Sequence, residues 1–364
     1  MRRSIIIGLS LCLSLRGTAQ TEQYAEQIRV KYNIPELNYA VITSGKTLEM
    51  HALGYKKVHS RRKAELSDQF RLGSNTKAIT GFIATLLVRD AKIDWKTHFF
   101  DLFPELKSQS NPAYYDMTLE SLLTMRVPLP RYTYTDQLPA KGQFSGGPEE
   151  QMHQFMAWML RQKPMPVKGL CFSNPSYVAA GMMLEKASGK TYRQLVEELG
   201  KQLMADFHFG QPNVEDSLQP WGHNAYLQPE APAQNYKLSW LLPAGNVTAS
   251  LPDYACFVRE QLKGLKGKSQ FLKSGDYRFL LEGRDTFSVG WFYDIDEFGN
   301  TYSWNQGNPG TFLSYTYVYP DADAAFILLC NAQTDAAEKG MDLLLKKLSA
   351  TYIKPGSAQK RSGK

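Results

Sequence analysis

Cysteine is scarce in this chain, at four among 364 residues. Cys12 belongs to the opening segment, which leaves Cys171, Cys256 and Cys330, an odd set with each member inside apolar sequence. Such a set does not suggest a disulfide framework; buried free thiols are expected, with room for at most one pair. The six histidines (His51, His59, His98, His153, His208 and His223) lack any metal spacing such as HExxH. A GxSxG elbow and a glycine-rich phosphate loop are both missing. No metal, nucleotide or other cofactor is expected.

A one-sided charge is also lacking. Arg2, Arg3 and Arg16 at the start, with Lys354, Lys360, Arg361 and Lys364 at the end, account for the whole net charge of +7. Residues 20–353 are therefore neutral. Phosphate binding needs a basic face, so nucleic acid is not an expected partner. The acid-free end, 354–364, reads as a disordered basic tail. The apolar run Ser4–Leu15 is too short to cross a bilayer. With Arg2-Arg3 before it and Gly17-Thr18-Ala19 after it, it reads as a signal peptide of residues 1–19. An exported protein follows, periplasmic or secreted, with no transmembrane segment after signal removal. Leu11 is bulky where lipidation of Cys12 would call for a small residue.

What is present centres on Phe70–Asp90, FRLGSNTKAITGFIATLLVRD. Ile79, Phe82, Ile83, Leu86 and Leu87 recur at three- and four-residue steps, the period of a helix with one buried face. Ser74 opens that helix and Lys77 lies one turn on, on the same face. A hydroxyl near a helix N-terminus beside an amine is a candidate nucleophile with its base. The unpaired N–H groups of the first turn supply an oxyanion donor. Two more Ser-x-x-Lys copies exist, Ser60 to Lys63 and Ser357 to Lys360, but one lies in a basic turn and the other in the polar tail.

Around this helix the chain changes character twice. Residues 21–32 suit an opening helix, and Leu37 to Tyr55 reads as a β-hairpin turning at Ser44-Gly45. Thr118 caps a short helix. Residues 126–150, rich in Pro, Gly and aromatics, read as irregular loop around a cleft. Helical patterns follow at 148–162, 175–188 and 191–207, then an extended stretch at 211–242 and a helix at 251–265. The end turns to strand-like runs, Phe287–Asp294, Thr301–Trp304, Phe312–Tyr319 and Ala324–Cys330, and a last helix, Ala336 to Tyr352. This order implies an α/β (α+β) fold with one antiparallel sheet from both chain ends, flanked by helices, and a mostly helical inserted subdomain. The expected domain is 20–353, its sheet part about 20–80 and 240–353 and its helical part about 81–239.

FRLGSNTKAIT, FPELK, MTLESLLT, CFSNPSYVAAGMMLEKASGKTY, LPAGNVTASLPDYACFV and FSVGW follow one another in this order. In that order the chain resembles the serine β-lactamase and penicillin-binding-protein-like superfamily. The branch it is most similar to holds class C β-lactamases, D-alanyl-D-alanine carboxypeptidases and esterases. The resemblance spans about Tyr39 to Ala332. It implies Ser74 as acylated nucleophile, Lys77 as its lysine partner, and Asn174 as the asparagine that orients the lysine and bonds the substrate amide. It also implies Asn305-Gln306-Gly307 as a cleft wall and the N–H of Asn308 as second oxyanion donor.

The departures from the family pattern fall in the same places. Phe172 stands where the second motif begins with a proton-shuttling tyrosine. Losing such a group typically slows a reaction ~10²–10⁴-fold. Asn305 and Gln306 replace the Lys or His and the Thr or Ser of the third motif, and MRVPLP replaces an HTSGLP-like loop. Lys273-Ser274-Gly275 mimics the third motif but precedes FSVGW. Without a charge at Asn305 the expected substrate is a neutral ester or amide, a small molecule or peptide. Burial beside Phe172 would lower the Lys77 pKa and let it act as sole base. The alternative is a degenerate member that binds a peptide or glycan fragment without turnover.

Overall fold

The computed structural model describes residues 19–214, 216–231 and 236–353. The tail and, up to residue 18, the stretch read as a signal peptide lie outside the described residues. Helix α1 spans 19–31 and leads into the hairpin of β1 (Glu36–Ile42) and β2 (Thr47–Gly54). A separate three-stranded sheet holds β3 (Gln69–Arg71), β5 (Val247–Ser250) and β4 (Phe207–Phe209), in that order. Strands β6 (Phe292–Ile295), β7 (Thr301–Gly307), β8 (Leu313–Tyr319) and β9 (Ala324–Cys330) close the chain's last third. The large sheet runs β2-β1-β9-β8-β7-β6, antiparallel throughout. Strands from both chain ends thus meet at the β1–β9 pair.

Every residue of β1, β8 and β9 is buried, because both faces of the sheet centre are covered. Alternation along β1 sends Leu37, Tyr39 and Val41 to one face, against α1 and α12 (Asp335–Tyr352), where Met341, Leu344 and Leu348 pack. Ala40 and Ile42 go to the other face, against α2 (Thr76–Arg89) and α10 (Leu251–Leu265).

The chain between β3 and β5 is mainly helical. It holds the short helices α3 (Phe99–Leu102), α4 (Pro104–Lys107) and α5 (Leu119–Leu123), then α6 (Pro148–Met159), α7 (Asn174–Ser188) and α8 (Tyr192–Leu203). The short α9 (Leu242–Gly245) precedes β5. Thr118 and Thr191 cap α5 and α8 through capping boxes, and Gly189 ends α7 in the left-handed region at φ 70°. Tyr177, Val178, Ala180 and Met183 bury α7 on all sides. We propose that the division of 81–239 from 20–80 with 240–353 is one of topology, since a single apolar cluster runs from Ile42 and Ile327 through Phe82 to Leu195.

Two stretches differ from the sequence expectation. Of the run Phe287–Asp294 only Phe292 onward is strand. Phe287, Val289 and Trp291 are buried in a coil that bonds Ser288 N to Trp291 O and Val289 N to Leu280 O. Gly290 sits there at φ +86°, and a Cβ on it would lie 2.6 Å from the Lys77 carbonyl oxygen, so the backbone rests directly on α2. Lys273-Ser274-Gly275, a turn-like stretch by its residues, instead opens α11 (Ser274–Glu282), where the Asp276 carboxylate accepts from the Lys273 N–H. Cys171, Cys256 and Cys330 are free thiols.

Candidate active site

Ser74 lies in a 3₁₀ turn, Gly73–Asn75, that runs directly into α2. Asn75 anchors the turn to the sheet by donating to the Ser314 hydroxyl at 2.7 Å, and Ser314 in turn donates to the Leu72 carbonyl. Lys77 follows one turn later and is buried beneath Ser74. Its Nζ stands 2.9 Å from Ser74 Oγ and donates to the Ala244 carbonyl at 2.7 Å. The face of the Tyr177 ring is 5.6 Å away. Burial alone, with no carboxylate beside it, pulls the Lys77 pKa down to about 7. Near neutral pH a large share of this amine is therefore unprotonated and able to take a proton.

The carbonyl that holds Lys77 comes from α9, and α9 and the start of β5 are each fastened to α2 once more. Thr80 Oγ1 donates to the Pro243 carbonyl at 2.6 Å, and Thr76 Oγ1 accepts from Val247 N. Arg71 steadies the next residue by donating to Asn246 Oδ1 at 2.6 Å.

A cleft of about 210 Å³ opens over Ser74. It is lined by Arg131, Thr133 and Tyr134 from the loop between α5 and α6, by Phe172 and Asn174 at the start of α7, by Gln306, Asn308 and Pro309 at the end of β7, and by Leu241, Ala244 and Gly245 at α9. A larger hollow of about 700 Å³ lies beside the end of α1, lined by Arg29, Tyr55 and Tyr226, away from Ser74.

The walls approach the nucleophile through bare backbone. A Cβ on Gly307 would lie 2.0 Å from the Leu72 carbonyl oxygen, and one on Gly73 would lie 2.9 Å from Asn308 N. Glycine at both positions lets β7 come against the Ser74 turn. The β7–β8 ladder ends at the Gly307–Ser314 pair, so Asn308 sits just past it, beside the first-turn N–H of Ser74. The backbone nitrogen of Asn308 is thereby brought close to the nucleophile turn.

Most of the expected site residues meet here. Ser74, Phe172, Asn174, Gln306 and Asn308 line the cleft, with Lys77 directly under it. Asn305 and Gly307 do not line it. The alternation of β7 turns Ser303, Asn305 and Gly307 inward and Trp304 and Gln306 outward. Buried Asn305 donates to the carbonyls of Ser74 at 3.1 Å and Gly290 at 2.6 Å, and so braces the nucleophile from behind. Asn174 opens α7, and its side-chain hydrogen bond goes to the Tyr132 carbonyl at 2.7 Å, not to Lys77. Gln306 donates to the Tyr317 hydroxyl.

Phe172 is held by aromatic packing. Its ring stacks on Phe292 with centroids 5.4 Å apart and planes 7° from parallel, and meets Phe287 edge-on. His223 plays no part at the cleft: its Nδ1 donates to the Asn331 carbonyl and its Nε2 accepts from Val58 N, and burial lowers its pKa to about 4. Ala244, Arg131, Thr133 and Tyr134 were not singled out from sequence. The signal for the last three was only the Pro- and aromatic-rich loop, and a backbone carbonyl has none.

A model of the beta-lactamase family matches residues 21–350. The chain belongs to the beta-lactamase family. Its curated relatives include Protein flp of Staphylococcus aureus, 22% identical over 331 residues, which are 88% of this chain and 64% of the relative. The chain therefore spans a little under two thirds of that relative's length. Among solved structures it is similar to the D-amino acid amidase of Ochrobactrum anthropi SV3 complexed with L-phenylalanine amide, with TM-score 0.71 and 18% identity over 91% of this chain and 99% of that one. It is also similar to a class C beta lactamase from Rhodobacter sphaeroides, with TM-score 0.71 and 15% identity over 90% and 99%. These likenesses show the fold of this family member, with its antiparallel sheet flanked by helices. No helix among the described residues is long and apolar enough to cross a membrane.

Proposed function

We propose that this beta-lactamase-family member is a serine hydrolase that forms an acyl-enzyme on Ser74 and cleaves a small ester or amide. The observation that carries this reading is the 2.9 Å approach of Ser74 Oγ to a buried lysine amine whose pKa is about 7. Neutral Lys77 takes the hydroxyl proton as Oγ attacks the substrate carbonyl carbon. The carbonyl oxygen gains charge between the N–H groups of Ser74 and Asn308. The ester C–O or amide C–N bond then breaks, and the proton on Lys77 passes to the departing oxygen or nitrogen. The acyl group remains on Ser74 until water releases it.

An amide or ester substrate is supported by the likeness in fold to an amidase solved with an amino-acid amide. Export is supported by the charge and apolar pattern of residues 1–19. The expectation of a neutral substrate leans on Asn305 and Gln306; with Asn305 turned behind Ser74, other lining residues decide the substrate's charge. Phe172 favours a second reading. Its packed ring offers no proton relay, and the same cleft would then hold a peptide or glycan fragment without turnover.

Intact-mass measurement after exposure to a fluorophosphonate and, separately, a penicillin separates these, with Ser74→Ala as control. A Ser74-dependent adduct with either reagent is expected for the hydrolase. No adduct with both would replace it with the binding reading.

A further inference from the structure

Of the thirteen residues that line the cleft over Ser74, one carries a charge, and it is Arg131. The buried Lys77 amine is not among the lining residues, and no acidic side chain is either. Among the described residues the Arg131 guanidinium has no hydrogen-bond or ion-pair partner, although its backbone is held firmly. Its carbonyl accepts from Asn174 N at 3.0 Å. On either side, the Pro130 carbonyl accepts from Ser173 Oγ at 2.8 Å and the Tyr132 carbonyl from Asn174 Nδ2 at 2.7 Å. Tyr132 is kept at φ 42°, a left-handed conformation unfavourable for tyrosine, with its ring buried against Phe155 at 4.7 Å. The nearby Asp136 carboxylate is turned back into its own loop, accepting from Thr133 N and Thr133 Oγ1. A fixed backbone thus presents an unpaired guanidinium at the rim of an otherwise uncharged cleft.

We propose that Arg131 is the specificity-determining residue of this site and that it pairs with an anionic group, a carboxylate in the simplest case, carried by the substrate away from the scissile bond. This deepens the hydrolase reading above and rests on it. Guanidinium binds a carboxylate through two parallel N–H donors, which selects for shape as well as charge. The charge stands on the loop between α5 and α6, which is tied to the start of α7 by the bond from Asn174 N to the Arg131 carbonyl. It therefore does not replace the missing charge at Asn305 in place, since Asn305 is sealed behind Ser74. Because Arg131 is exposed, the pairing is partly screened, and the selectivity falls as salt rises.

The test uses two series of nitrophenyl esters, one with a carboxylate on the acyl part and one with it on the alcohol part, each against its uncharged methyl-ester twin. In at least one series kcat/KM is expected to favour the anionic member about 10-fold at an ionic strength of about 0.05 M, and less at about 0.5 M. Arg131→Gln should erase the preference and Arg131→Glu should reverse it, each read as the anionic-to-neutral ratio within one variant, so that a change in reactivity common to both substrates cancels. No preference in either series, or a preference that survives Arg131→Gln, would overturn the proposal. If the wild-type protein fails to label or turn over at all, the hydrolase reading fails separately. Calorimetric binding of the same anionic and neutral compounds to Ser74→Ala, with and without Arg131→Gln, then decides the charge preference on its own.

Discussion

The side-chain amide of Asn305 donates to the main-chain carbonyl of Ser74 at 3.1 Å and, with its second hydrogen, to that of Gly290 at 2.6 Å. One buried residue thus ties three segments together: β7, the nucleophile turn and the coil that rests on α2. Asn305, where the resemblance implies a third-motif position, is buried as a brace behind Ser74.

Asn305→Ala should leave two carbonyls without these donors and reduce stability by about 1–3 kcal/mol. Chemical denaturation measures this. Fluorophosphonate labelling of Ser74 should slow in the same variant, because the turn loses its support. An unchanged denaturation midpoint would remove the bracing role.

Lys77→Met should abolish acylation yet stabilise the fold. The lysine pKa falls from an ordinary 10.5 to about 7 in the folded protein. Below pH 7 both folded and unfolded chains hold the proton, and the native state bears a buried cation without a carboxylate. Between pH 7 and 10.5 only the unfolded chain holds it, so that cost declines as pH rises through the window. The melting temperature of Lys77→Met should therefore exceed that of the wild type by roughly 2–5 °C near pH 6.5, with a smaller gap near pH 9.5. A gap that widens with pH would contradict the depressed pKa.

Phe172→Tyr adds a hydroxyl where the sequence resemblance implies a proton-shuttling tyrosine. The ring packs between Phe292 and Phe287 on the cleft wall, so an added hydroxyl at its tip is compatible with the same stacking. Turnover of an activated ester is expected to rise about 10- to 100-fold, and burst kinetics would assign the gain to acylation or deacylation. No gain would mean that the tip points away from Ser74.

Much of this fold is legible in the sequence because its elements bury regular patterns. The three- and four-residue steps from Ile79 to Leu87 place α2, and Ser250 with Pro252 starts α10 where expected. The hairpin after Leu37 and the strand Ala324–Cys330 carry enough apolar or alternating residues to be read directly. The failures have local causes. Phe287–Trp291 is apolar enough for a strand, but it is buried as a coil with Gly290 in the left-handed region. The residue pattern ends the strand at Trp304 because Asn305 and Gly307 favour turns, although the resemblance implies a strand through them. The structure continues β7 through them because the polar Asn305 side chain finds two carbonyl acceptors inside. The direction of Asn305 could not be read once the strand was ended at Trp304. Ala244 was invisible for another reason: what holds Lys77 is its backbone carbonyl, brought from 167 residues away.

The most direct test of Lys77 as the base for Ser74 is the pH dependence of the second-order rate of Ser74 labelling by a neutral fluorophosphonate. The rate should rise with pH on a single acid limb with its midpoint near 7, because only the unprotonated amine accepts the serine proton. Lys77→Met should remove both the limb and most of the rate. A rate that is flat from pH 5 to 9, or labelling that persists at full speed in Lys77→Met, would contradict the account.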